Sequence, residues 1–256
     1  MKLENVEYAV TNHLARIEMN RPQVLNALSK GMFRDLRKAL GLATKDGDAW
    51  VVEITGAGKA FSAGLDIREV GGFKSRAEAK DFVYGLVKPF WDRLFECEKP
   101  VISLVDGPAY GAGAEIALAS DIVIASTESM FAFSGGRVGA LCCMSGVIGP
   151  SLMNGRKLVE MNLAGTPLSA NEATKYGLVN YSVPRQELIP TLEKVIREIL
   201  HVSPISYSSF KRIRKTDLLE TKLETAYREL LRTITSEDFR EGSSAFVAKR
   251  APEYCR

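Results

Sequence analysis

The sequence predicts an α/β domain with buried, largely parallel strands, and three features carry that prediction. Short apolar runs alternate with segments of helical period. The runs at Trp50 to Thr55, Val101 to Val105 and Asp121 to Ser126 are mostly apolar, as strands covered on both faces tend to be. From about Glu187 onward strand signals vanish and only helical patterning remains.

Taken in order, Glu7 to Thr11 and His13 to Met19 read as a hairpin closed near Asn12. Lys30 to Thr44 is a helix, with Met32, Leu36, Leu40 and Leu42 recurring along it. The strand Trp50 to Thr55 ends at Gly56-Ala57-Gly58. Ala77 to Cys97 is a long helix that Lys99-Pro100 cuts off. After Val101 to Val105, a glycine-rich turn leads into a helix from about Gly111 to Ser120, and Asp121 to Ser126 follows as a strand. Leu219, Leu223, Ala226 and Leu230 mark an amphipathic helix near the C-terminus. Its apolar stripe must be buried on its own core or on a partner. The chain thus divides into a core over residues 1–195 and a helical region over 196–256.

The 256 residues, 46% hydrophobic and 25% charged, suffice for a large core without disulfides. Cys97, Cys142, Cys143 and Cys255 form no CxxC and have no histidine partners at zinc spacing, so they read as reduced thiols of an intracellular protein. MKLENVEYAV lacks the apolar run of a signal peptide, and no stretch approaches the ~18 apolar residues of a membrane span. The expected location is cytoplasmic, where the sequon at Asn180 has no meaning. A net charge of +3 gives no reason to invoke nucleic acid or a membrane. The cluster Lys211, Arg212, Arg214 and Lys215 reads as a solvated helix face.

His13 and His201 both lie away from the glycine-rich turns, which argues against histidine chemistry, and no metal motif is present. Gly58-Lys59-Ala60 fails as a phosphate loop because Glu53 stands where the first glycine belongs and no Ser or Thr follows the lysine. Gly111-Ala112-Gly113 fails as a dinucleotide fingerprint because Ile116 replaces the third glycine. Both turns, Lys59 to Asp66 and Gly107 to Gly113, instead consist largely of small residues that let a ligand approach the backbone. The second opens a helix, whose free N–H groups favour a developing negative charge. If the turns meet, they supply two donors to one oxygen; packing is the other reading of such turns. Glu115 lies one turn into that helix among Gly, Ala, Ile and Leu. Burial would raise its pKa and suit it to proton exchange, whereas the helix N-terminus acts in the opposite direction.

These residues resemble the enoyl-CoA hydratase/isomerase (crotonase) superfamily. The similarity is carried by Asn20-Arg21-Pro22 with Asn26-Ala27-Leu28, by KAFSAGLDI over Lys59 to Ile67, and by KPVISLVDGPAYGAGAEIALASD over Lys99 to Asp121. It continues through Ala173, Gly177-Leu178-Val179, Glu237 to Gly242 and Ala245 to Arg250. The resemblance implies a crotonase-like ββα superhelix with a C-terminal helical trimerisation region, the trimers often paired into hexamers. It implies an acyl-CoA thioester as partner, its carbonyl oxygen held by the N–H groups of Leu65 and Ala112, with Glu115 as proton carrier. The CoA moiety would run past Val24, Leu25 and Ala63, and Phe246 and Lys249 would contact its nucleotide end, usually from a neighbouring subunit. No metal or redox cofactor is implied; coenzyme A enters as part of the substrate.

One departure bears on the reaction. Hydratases of this family use two glutamates, and Gly135 stands where the second belongs, within Phe133-Ser134-Gly135-Gly136-Arg137-Val138-Gly139. The turn that follows is replaced by Leu141-Cys142-Cys143-Met144-Ser145-Gly146. Three readings stand: hydratase/isomerase-type proton transfer, decarboxylation of a malonyl-type CoA ester, and a non-catalytic CoA-ester-binding protein. Tyr110, Ser134 and Arg137 are candidates for contact with a polar acyl group, and the loop after Ile67 containing Gly71-Gly72 for shaping the acyl pocket.

Overall fold

A computed structural model describes residues 1–214 and 217–254 of the chain. The strands are β1 (Val6–Thr11), β2 (Leu14–Met19), β3 (Val51–Gly56), β4 (Val101–Val105), β5 (Ala109–Tyr110), β6 (Ile122–Ser126), β7 (Met130–Ala132), β8 (Leu168–Ser169) and β9 (Tyr181–Val183). The helices of the first half are α1 (Lys30–Lys45), α2 (Ile67–Val70), α3 (Arg76–Phe82), α4 (Lys88–Glu96) and α5 (Ala112–Ala119). They are followed by α6 (Cys143–Leu152), α7 (Gly155–Ala164), α8 (Ala170–Lys175), α9 (Leu188–Leu200), α10 (Pro204–Arg214), α11 (Asp217–Ile234) and α12 (Glu237–Ala248).

The main sheet has the order β1-β2-β3-β4-β6-β9 and a smaller one the order β5-β7-β8. Only the β1–β2 hairpin is antiparallel in the main sheet; β2–β3, β3–β4, β4–β6 and β6–β9 are parallel. Asn12 and His13, both at positive φ, form the two-residue hairpin turn, so His13 belongs to the turn and not to the strand. The parallel strands are covered on both faces. Val52, Ile54, Val101 and Val105 face α1 and the aromatic residues Phe82, Phe90 and Trp91 of the next helical run. Val51, Ile102, Leu104 and Ile124 face Leu188, Leu192, Val195 and Ile196 of α9. That helix spans the point where the sequence divides core from tail.

The long helix expected over 77–97 is continuous from α3 to α4 but contains a π turn at Val83–Val87. Pro89 explains it: the residue lacks an N–H, and its ring would strike the carbonyl four residues back in a regular α-helix. α6 was not legible as a helix. Gly146, Gly149 and Pro150 give it poor propensity, and it is helical because it packs between α5 and α11, with Gly149 tight against the Leu158 side chain.

α11 buries Leu223, Ala226, Tyr227, Leu230 and Leu231, and it packs on α6 and the π turn of its own chain. The Leu219 side chain lies outside the described residues. α12 lies against Ser134–Val138 and α2. Gly139 and Gly242 mark the seam, since a Cβ on either would meet backbone atoms across it at 2.5–2.6 Å. The basic cluster is largely a solvated face, as expected: Arg212 and Arg214 are exposed and make surface pairs with Glu98 and Asp121, while the half-buried Lys211 also pairs with Asp121. Lys215 and Cys255 lie outside the described residues. Cys97, Cys142 and Cys143 are free thiols, all buried. Among the described residues no helix is long and apolar enough to cross a membrane.

Candidate active site

Three backbone segments lie side by side to form one wall of the site. Leu28 N–H bonds to Gly64 O at 2.7 Å, Ala63 N–H to Leu25 O at 2.9 Å, and Asp66 N–H to Leu28 O at 3.1 Å. Tyr110 N–H in turn bonds to Ser62 O at 2.9 Å. The first segment turns through Leu25 and Asn26, both left-handed at φ 52° and 54°. Asn26 is fully buried and secures that turn with both ends of its amide. Nδ2 donates to Ala57 O and Ala60 O at 2.9 and 2.8 Å, and Oδ1 accepts from Arg21 N–H at 2.9 Å. Arg21 also donates from Nη1 to Ala27 O at 2.9 Å and to Asp66 Oδ2 at 3.0 Å, tying the first segment to the second.

Gly64, at φ 87°, is where the second and third segments touch. A Cβ there would lie 2.7 Å from Tyr110 O and 3.2 Å from Ala112 N. Gly111, at φ 52° and ψ −125°, turns the third segment directly into α5 in a conformation that side chains disfavour. The backbone N–H groups of Leu65 and Ala112 have no hydrogen-bond acceptor among the described residues. Both residues line a cavity of about 400 Å³.

Glu115 lines the same cavity and is only 3% exposed. Its Oε1 accepts the Ser145 N–H at 3.0 Å, at the N-terminal turn of α6. Ser145 Oγ is itself held by Cys142 O and Asn162 Oδ1 at 2.7 and 2.8 Å. Burial pushes the Glu115 carboxyl up to about 8, against the opposing pull of the Ser145 and Met144 amides. Desolvation therefore prevails over these two hydrogen bonds. Asp66 also lines the cavity, but it is paired with Arg21.

Val24, Leu25, Ala63, Gly135 and Phe246 line this cavity too, so eight of the ten expected site residues share it. Phe246, near the end of α12, lines the cavity of its own chain. Tyr110 and Lys249 do not line it. Tyr110 is held in β5 by its pairing with Ala132 of β7 and by its N–H bond to Ser62 O. Lys249 is the exposed left-handed cap after α12. Ser134 lines the cavity, whereas Arg137 does not and donates to Ala164 O at 3.0 and 3.1 Å. Ile67 and Arg68 line it, whereas Gly71 packs against Ser243 of α12.

Several residues escaped sequence reasoning. Ser145 and Asn162 support Glu115 from elements 30 or more positions away in the chain, with no local pattern to signal it. The aromatic and aliphatic wall, Phe33, Val87, Trp91 and Leu230, comes from α1, the α3–α4 run and α11. Their helical periodicity was readable, but not the shared cavity.

A spiral of parallel strands closed by C-terminal helices, with this cavity at the start of α5, is a crotonase-like fold. The solved carnitinyl-CoA hydratase of Mycobacterium avium superposes with a TM-score of 0.84 at 29% identity, over 99% of both chains. The model of the enoyl-CoA hydratase/isomerase family matches residues 9–256, and the chain belongs to that family. It is 32% identical to a probable mitochondrial enoyl-CoA hydratase of Dictyostelium discoideum, over 93% of this chain and 86% of the relative. It is 31% identical to the 1,2-epoxyphenylacetyl-CoA isomerase of Escherichia coli, over 93% of each chain. The protein is thus an acyl-CoA enzyme of the hydratase/isomerase type.

Proposed function

We propose that the protein moves a proton along an enoyl-CoA thioester, shifting its double bond, with Glu115 as the carrier. The thioester carbonyl oxygen sits between the Leu65 and Ala112 N–H groups, which stabilise the enolate formed when a proton leaves the acyl chain. Glu115 takes that proton and returns it at another carbon. The observation that carries this reading is a single buried carboxyl, raised to about 8, in the same cavity as two backbone donors free of acceptors. Such a pKa lets both protonation states exist near neutral pH.

Hydration by two acids is disfavoured because the only carboxyls lining the cavity, among the described residues, are Glu115 and the Arg21-paired Asp66. The space beside Gly135 is also occupied, since a Cβ there would lie 3.0 Å from Ala140 O and 3.0 Å from Cys142 Sγ. The same absence favours decarboxylation as the second reading, in which the two N–H groups stabilise the enolate left by departing CO₂.

The mouth of the cavity, with Val24, Leu25, Ala63 and Phe246, accommodates the pantetheine arm of CoA. Self-association into trimers or hexamers belongs to the proposal. α10 buries none of its residues and leaves Ile205, Phe210 and Ile213 at 77%, 60% and 74% exposure, an apolar face suited to a second copy of the chain.

The test is mass spectrometry of crotonyl-CoA, a 3-enoyl-CoA, methylmalonyl-CoA and a saturated acyl-CoA incubated with the protein in D₂O. Deuterium in the acyl chain at unchanged formula, lost in Glu115→Gln, is the expected result. Gain of water or loss of CO₂ would replace isomerisation by hydration or decarboxylation. Binding of the esters with neither exchange nor turnover would make the protein a non-catalytic CoA-ester binder.

A further inference from the structure

We infer that Cys142 is a nucleophile of this site, whose thiol adds to the β-carbon of a bound 2-enoyl thioester and holds it as a covalent thioether. The inference rests on the substrate placement proposed above. Cys142 and Cys143 both line the cavity, as do Gly135 and Glu115. The Cys142 sulfur fills the volume a side chain at 135 would take, since the Cβ position there is 3.0 Å from it. Of the two sulfurs, that of Cys142 is the one among the nearest atoms to this position, which singles it out from its neighbour. Glu115 lies close enough for its charge to raise both thiols. Ser134 shares the cavity, but a hydroxyl is a far weaker nucleophile than sulfur toward a conjugated carbon.

Burial raises both thiols well above their ordinary value, so neither is a free thiolate in the empty site. Reaction therefore requires a base and an electrophile together. The S–H proton passes to the Glu115 carboxylate as the sulfur lone pair forms a bond to C3. The C2–C3 π pair moves into the thioester enolate, held by the Leu65 and Ala112 N–H groups. The enolate carbon C2 then takes the proton back from Glu115. One S–H adds across one C=C, and no oxidant or leaving group is needed.

The test is intact-protein mass spectrometry of the full chain, acid-quenched after exposure to crotonyl-CoA or 2-butynoyl-CoA, the adduct of the alkynoyl ester reversing less readily. Deuterium exchange into crotonyl-CoA is followed in parallel. A mass gain of one whole ester is expected, lost in Cys142→Ser and in Glu115→Gln and retained in Cys143→Ser. Iodoacetamide should leave Cys142 unmodified in the native protein under conditions where the enoyl ester reacts. Deuterium exchange without any adduct overturns the thiol addition and leaves the proton-transfer reading standing. An adduct that survives in Cys142→Ser overturns the assignment to Cys142, and absence of both adduct and exchange removes both readings.

Discussion

Replacing Glu115 by Gln should make the protein's stability less dependent on pH, by an amount the site itself sets. In the folded chain the carboxyl holds its proton up to about 8, whereas the ordinary value is 4.5. Between those limits the native state binds one proton that the unfolded state does not, so stability falls as pH rises. At 1.36 kcal/mol per pH unit, the full span is worth about 5 kcal/mol. Gln does not titrate, and its amide oxygen can still accept the Ser145 N–H. Other titrating groups cancel when the two proteins are compared. Urea denaturation of both at intervals from pH 5 to 9 should show the variant gaining on the native protein steadily up to about pH 8, then holding level. A difference that stays constant within about 1 kcal/mol over that range would show that Glu115 is ionised throughout, and would remove the argument for a carboxyl poised near neutrality. The catalytic counterpart has the opposite sign: the step needing the carboxylate as base should give a kcat/KM that rises with pH and levels off above about 8.

Gly64→Ala should cost ~10²–10³ in kcat, the loss typical of one displaced oxyanion donor, because its Cβ would meet Tyr110 O at 2.7 Å and part the Leu65 and Ala112 segments. Steady-state kinetics on the ester that exchanges deuterium would check it, and native-like rates would refute the close contact. Asn26→Ala removes three hydrogen bonds from a fully buried left-handed turn. It should destabilise the fold by roughly 3 kcal/mol in urea titration, and a change below about 1 kcal/mol would mean that the turn holds itself. Gly135→Glu should not create a hydratase, because Ala140 O and Cys142 Sγ already crowd the Cβ position; appearance of 3-hydroxyacyl-CoA from crotonyl-CoA would contradict this.

The sequence by itself determined five strands of the main sheet, the two glycine-rich turns and the acid, but not β9 or the short strands of the smaller sheet. Apolar runs such as Val101 to Val105, bounded by proline and glycine, are local signals, and β4 begins and ends where they do. The glycines at 64 and 111 were readable as places of close backbone approach, and both stand at positive φ. Glu115 stood out because a carboxylate among alanines is conspicuous wherever the chain goes.

Only the tertiary structure decided what surrounds that acid. The Ser145 amide reaches it across 30 residues, from a helix whose Gly and Pro content hides it and which exists because α5 and α11 hold it. The closing of the cavity by Leu230 was equally invisible, since an apolar stripe states that burial is needed but not against what. The sulfur that occupies the space beside Gly135 is seven residues along the chain, brought there by a turn with no period to read. Local patterns fix which groups are present and how the backbone runs; desolvation, which sets the Glu115 proton near neutral pH, is a sum over distant segments and exists only once they have packed.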